Sequence, residues 1–137
     1  MKKVLLVIAL MAAASLHLAA KNAVLRDSSG RYKGSAQQNG NTTISRDAAG
    51  RVSVRATTHG KSTTYRDASG KIIGQSTVNG NQTIYRDASG RIKYVESKTG
   101  NITTVRDASG RIKGTFQKNG NTTFYRNSQG RLVGTKQ

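Results

Sequence analysis

The chain has no cysteine and no proline, and its six acidic side chains face 23 Lys and Arg. Without cysteine there is no disulfide scaffold and no lipid anchor through a thiol. Histidine occurs only twice, at His17 and His59. The serines at 29, 69, 89 and 109 therefore have no evident imidazole partner to activate them. With no cluster that spells out a metal or cofactor site, the chain reads as non-enzymatic and cofactor-free. Hydrophobic residues are also scarce, at 34%, which is thin for a conventional two-layer core. Low hydrophobicity with high charge is a signature of disorder; the order described next argues against it.

Residues 1–20 have the three parts of a secretory signal. Lys2 and Lys3 open it, Val4 to Ala14 form an apolar run, and small residues follow. Cleavage is expected after Ala20, with Ala14 as the alternative, and the product is expected to be periplasmic, cell-surface or secreted. Loss of Lys2 and Lys3 takes the formal charge from +17 to +15.

The remaining segment, 21–137, repeats with a period of 20. Arg-Asp recurs at 26–27, 46–47, 66–67, 86–87 and 106–107, with Arg126-Asn127 completing the series. Glycine follows at 30, 50, 70, 90, 110 and 130, and again at 40, 60, 80, 100 and 120. A turn signal about every ten residues, with fifteen glycines in all, predicts short strands joined by tight turns. Asn39-Gly40, Asn79-Gly80 and Asn119-Gly120 predict type I′ turns. Asp67-Ala68-Ser69-Gly70 and its copies predict a four-residue loop around a type I turn, with Asp accepting backbone hydrogen bonds and Gly left-handed.

These loops predict a register. Gly74 would face Tyr85, Gly114 Tyr125, Val54 Tyr65 and Tyr94 Val105; across the other loop Tyr65 would face Ile72, Tyr85 Ile92, Val105 Ile112 and Tyr125 Leu132. One face then holds Leu25, Tyr32, Val52, Tyr65, Ile72, Tyr85, Ile92, Tyr94, Val105, Ile112, Tyr125 and Leu132, interleaved with Thr43, Thr63, Thr83, Thr103 and Thr123. The expected fold is all-β: tandem hairpins forming a curled antiparallel meander, with a β-solenoid as the alternative. In a solenoid the arginines would stack at roughly 4.8 Å, which is electrostatically costly.

The stretch Thr63-Thr64-Tyr65-Arg66-Asp67-Ala68-Ser69-Gly70-Lys71-Ile72 and its copies resemble the YD repeat of Rhs and teneurin-type proteins, which implies long curling antiparallel sheets. Here Arg stands directly before Asp, where that family usually has Tyr. Tyr32-Lys33-Gly34 followed by Asn39-Gly40 is similar to MORN-type repeats. The repeat length and Gly-Asn steps such as Gly120-Asn121 are similar to curli-like fibre subunits.

The opposite face carries the candidate site: Arg46, Arg51, Arg66, Lys71, Arg86, Arg91, Lys93, Arg106, Arg111, Lys113, Arg126 and Arg131. Lys33 is expected opposite Arg46, Lys93 opposite Arg106 and Lys113 opposite Arg126. Like charges directly opposed weaken a sheet, and a polyanion would relieve them by charge neutralisation and counterion release. Lipopolysaccharide, acidic glycan and extracellular DNA all fit that description. The row of Asp side chains reads as turn capping, because Asn127 keeps the capping carbonyl without the charge. Two other functions fit the composition: a structural subunit of an extracellular fibre or biofilm matrix, self-associating through the apolar face or end strands, and a small inhibitor or immunity-like protein for an acidic partner.

Overall fold

The computed structural model describes residues 22–137; the expected signal peptide and its cleavage sites lie outside them. Twelve antiparallel strands follow one another: β1 (Asn22–Asp27), β2 (Tyr32–Asn39), β3 (Thr42–Asp47), β4 (Val52–His59), β5 (Ser62–Asp67), β6 (Ile72–Asn79), β7 (Gln82–Asp87), β8 (Ile92–Thr99), β9 (Ile102–Asp107), β10 (Ile112–Asn119), β11 (Thr122–Asn127) and β12 (Leu132–Lys136). Each pairs with its chain neighbours, and β1 pairs with β12. The meander is therefore a closed barrel. The expected open curled sheet is corrected, and the solenoid excluded, by that last pairing: closure removes both sheet edges and gives the Tyr face a lumen to fill.

The seam repeats an internal register. Gly134↔Asp27, Thr135↔Arg26 and Lys136↔Leu25 reproduce Gly74↔Asp87, Gln75↔Arg86 and Ser76↔Tyr85. Two backbone bonds between Val24 and Gln137, at 2.7 and 3.0 Å, extend it. From Leu25↔Gly34 to Gly34↔Asp47 the register climbs two residues per pair of strands. With about 3.4 Å per residue and about 4.7 Å between strands, that slope tilts the strands by roughly 36° and sets a backbone diameter of roughly 22 Å.

Two turn readings are corrected, with different consequences. Asn39 pairs with Thr42, so Gly40-Asn41 form the two-residue turn. Gly40 has φ +60° and no non-glycine residue among the described residues has positive φ, so the turn is type II′ with Gly first instead of type I′. The pairing moves by two residues: Ala56 faces Tyr65, Ser76 faces Tyr85, Glu96 faces Val105 and Phe116 faces Tyr125. A two-residue shift keeps every side chain on its face, so Tyr still meets small partners in the first two of these pairs.

At the other loop the correction changes faces. The amide of Gly70 donates to the Asp67 carbonyl, that of Asp67 to the Lys71 carbonyl, and Gly70 has φ +88°. Asp67 and Lys71 thus close a three-residue loop with a left-handed glycine. Ile72 consequently pairs with Arg66, and a bulge then returns the register to Tyr65↔Gly74. A single-residue shift puts Ile72 on the outer wall. In every copy the residue here, Tyr32, Val52, Ile72, Ile92, Ile112 or Leu132, leaves the predicted inner set and lies exposed or half-buried. Gly74 leaves room for a close approach next to the bulge: a Cβ there would lie 2.6 Å from the Arg86 carbonyl oxygen.

The lumen holds Leu25, Tyr65, Tyr85, Val105 and Tyr125 as expected, with Ala23, Ala36, Val54, Ala56 and Phe116 added and Thr43, Thr63 and Thr83 buried among them. Tyr94 packs against both of its apolar clusters, Leu25–Val105–Phe116–Tyr125 and Val54–Ala56–Tyr65–Tyr85. Phe116 meets Tyr125 edge-on at 4.7 Å, and the rings of Tyr65 and Tyr85 lie 6.2 Å apart. The strands run five to eight residues, the buried apolar side chains line the lumen, and most cations lie on the outer surface. No helix among the described residues is long and apolar enough to cross a membrane.

Candidate functional site

Because the topology is a plain meander, the five Asp-x-x-Gly loops and the Asn127-x-x-Gly130 loop all sit at one end of the barrel. Each is built the same way. Asp67 Oδ1 accepts from the amides of Ser69 and Lys71 at 2.9 and 3.0 Å and from Ser69 Oγ at 2.6 Å. The hydroxyl of Ser69, then the Lys71 amide, hold the Asp67 carboxyl below the usual carboxylate range despite some desolvation. At Asp47 the neighbouring residue is Ala49, so the Arg51 amide leads in lowering its pKa. Asn127 Oδ1 accepts the equivalent bonds from Gln129 and Arg131 without a charge. The carboxylates are thus engaged in shaping their own loops.

The arginine before each Asp is engaged too. Nη1 of Arg26, Arg46, Arg66, Arg86, Arg106 and Arg126 donates to the carbonyl of Gly30, Gly50, Gly70, Gly90, Gly110 and Gly130, at 2.9–3.2 Å. The guanidinium folds over the loop and leaves its remaining donors outward. The next basic residue, Arg31, Arg51, Lys71, Arg91, Arg111 or Arg131, is exposed in every copy, and of these six only Arg51 forms a salt bridge, 3.2 Å from Asp47. At the bulge, Lys33 and Lys113 come within 3.9 Å of Asp27 and Asp107.

Together these make a crown. Fifteen of the twenty Lys and Arg among the described residues lie at this end, with the five Asp, leaving ten net positive charges around one barrel mouth. All twelve predicted site residues belong to it. Arg26, Arg31 and Lys33 were missed, although the first copy has the same Arg-Asp-x-x-Gly-Arg signature; closure sets them beside the last copy. The expected like-charge pairs are corrected: Arg46 faces Ser35, Arg106 faces Val95 and Arg126 faces Thr115. The two-residue shift at the Gly-Asn turns moves Lys33, Lys93 and Lys113 off those rungs. Only Arg55↔Arg66 sets two cations directly opposite, so strain between opposed charges no longer argues for a ligand; the concentration of charge at one end does.

Inside the barrel two ionisable groups stand where other copies carry Ala, Ser or Phe. Glu96 is 4% exposed, and burial pushes its carboxyl up to about 8, opposed by the Tyr85 hydroxyl. Lys136 is pulled down to about 8 by burial and by Lys118. Tyr65 shares a 2.9 Å hydrogen bond with Ser76 and is pushed up to about 12 by burial. The hydroxyls of Tyr85 and Tyr125 are buried with no protein partner in hydrogen-bond geometry. A cavity of about 640 Å³ opens at the crown end between two loops, reaching Tyr65, Tyr85 and Tyr94.

No family model matches the chain, and no curated protein or solved structure shows significant similarity to it.

Proposed function

We propose that the protein is an exported, non-enzymatic docking module whose cationic crown binds polyanionic surface material: lipopolysaccharide, acidic glycan or extracellular DNA. The observation that carries this reading is the exposed basic side chain after each loop glycine, at Arg31, Arg51, Lys71, Arg91, Arg111 and Arg131, of which only Arg51 is paired, with Asp47. It is basic in all six copies, yet it fills no core. The loop is shaped by the Asp or Asn side-chain oxygen, the Gly and the preceding Arg; in five of the six copies this side chain takes no such part. Six such charges on one rim form a multivalent anion site whose counterion release makes binding strongly salt-dependent. The crown presents no aromatic stacking platform apart from Tyr32, so phosphate, sulfate or carboxylate groups suit it better than bases.

The fibre-subunit alternative depended on free end strands and an uncovered apolar face. In the barrel those strands pair with each other and half of that face, Leu25, Tyr65, Tyr85, Tyr94, Val105 and Tyr125, packs in the lumen, while the other half lies in the crown itself, which leaves the crown as the better-supported surface.

The test is retention on immobilised heparin as salt is raised, comparing the wild type with Lys71→Gln/Arg91→Gln/Arg111→Gln. These positions are preferable to Arg66, Arg86 and Arg106, whose loss would also release loop carbonyls. The triple variant should keep the same far-ultraviolet circular dichroism and elute at clearly lower salt. Equal elution of the two proteins would rule out the crown as the binding surface.

A further inference from the structure

Six internal copies are six samples of one local structure, and they separate what the barrel requires from what it does not. On the outer wall other positions mix residue types: Val24, Ile44, Thr64, Ile84, Thr104 and Phe124 combine apolar side chains with threonine, and Ser35, Arg55, Gln75, Val95, Thr115 and Thr135 combine polar, charged and apolar ones. Beside the exposed basic residue the pattern is different. The next residue is Tyr32, Val52, Ile72, Ile92, Ile112 or Leu132, apolar in every copy, and it sits on the outer wall. Tyr32 is 44% exposed, Ile72 37%, Ile92 39% and Ile112 45%. Each opens an even-numbered strand and pairs with the loop arginine, as Ile72 does with Arg66 and Ile112 with Arg106. The crown is therefore ringed by alternating apolar and guanidinium side chains, with the exposed cations immediately next to them along the chain.

A soluble polyanion would use the charges and leave this ring in water. We infer that the crown docks on the surface of a bilayer rich in anionic lipid, the cations meeting headgroups and the apolar ring entering the boundary between headgroups and acyl chains. This rests on the polyanion reading and narrows it to an anionic lipid surface. Interfacial binding of this kind adds buried apolar area to electrostatic attraction, and a rim bearing both at adjacent residues supplies the two together. Arginine suits such a ring because its apolar stem can lie along the neighbouring isoleucine while its head stays wet.

The experiment measures the chain from Lys21 onward against vesicles of equal phosphatidylglycerol and phosphatidylcholine, vesicles of phosphatidylcholine alone, and heparin. The variant is Ile72→Ser/Ile92→Ser/Ile112→Ser, at exposed positions, with circular dichroism to verify its fold. The wild type should bind the anionic vesicles and not the neutral ones; the variant should bind them at least tenfold more weakly while keeping its heparin elution. As the chain has no tryptophan, Ile92→Trp gives a second readout, whose indole emission should shift to the blue on anionic vesicles and stay put on heparin. Heparin binding without vesicle binding, unshifted emission from vesicle-bound Ile92→Trp protein, or full vesicle affinity in the serine variant would each overturn the lipid inference and leave the polyanion reading standing. Failure to bind either heparin or vesicles would overturn both.

Discussion

Glu96 gives the sharpest quantitative test of the barrel interior. It lies on β8 at a position that is Ala36, Ala56 or Ser76 in other copies, and it is 4% exposed. Burial raises its carboxyl from 4.5 to about 8. In that window the folded protein holds a proton that the unfolded chain releases, so stability falls as pH rises from 4.5 to 8. At about 1.4 kcal/mol per pH unit the loss is about 4 kcal/mol. Lys136 acts in the other direction. Its ammonium falls from 10.5 to about 8, so above pH 8 the folded state has lost a proton that the unfolded state keeps, and stability rises. Near pH 10 the unfolded tyrosines ionise while buried Tyr65, Tyr85 and Tyr125 resist, which reverses that rise. Urea unfolding followed by circular dichroism at unit steps from pH 5 to pH 9 should therefore show a stability minimum near pH 8. Glu96→Gln should flatten the limb from pH 5 to 8 and exceed the wild type at pH 8 by a few kcal/mol. If Glu96→Gln is instead destabilising at pH 8, the carboxylate is ionised and paired, and the burial argument fails.

Two further predictions test the architecture. The seam reproduces an internal register, so joining Gln137 to Lys21 through Thr-Asn-Gly and cutting between Gly80 and Asn81 should return a monomeric barrel of stability within about 2 kcal/mol of the original, since one turn replaces another. An aggregated or unfolded permutant by light scattering would refute the equivalence of seam and hairpin. Gly74→Ala places a Cβ against the Arg86 carbonyl and should cost about 1–3 kcal/mol in urea unfolding; a neutral result would mean that this site takes a side chain as its equivalents Val54 and Tyr94 do.

Much of this fold was legible in the sequence because the repeat states it six times. Glycines every ten residues marked the turns, and Leu25, Tyr65, Tyr85, Val105 and Tyr125 were correctly placed on the inner face. The Asp loop was also legible in its chemistry, because Asn127 distinguishes a cap from a charge. What was misread is one residue long. Counting a four-residue loop where Asp67 and Lys71 close a three-residue one sent Ile72 and its equivalents to the wrong face, and turn chemistry alone does not separate the two loops. Closure was hidden for a different reason: the pairing of β1 with β12 depends on slope summed over twelve strands, and no local motif encodes it. Glu96 and Lys136 escaped because hydrophobic alternation gives no signal for a charged side chain at an inward position.

The two misreadings pull the functional argument in one direction. Had Ile72, Ile92 and Ile112 been core residues, their apolar character would need no explanation beyond packing, and the opposed lysines and arginines would have been the anomaly. With the Gly-Asn turns shifted by two residues the opposed pairs disappear, and with the three-residue Asp loop and its bulge the isoleucines become the anomaly. They are outward, next to a cation that the loop does not use, and the same in kind in every copy. Local strand pairing cannot account for them, since the outer positions nearby accept Thr, Ser, Arg, Gln and Val alike. Surface apolar residues that occur singly are ordinary; six at one level around one mouth are a pattern that the barrel's own stability does not ask for. What this chain does is therefore best sought at that rim, where the fold leaves both charge and apolar surface unspent.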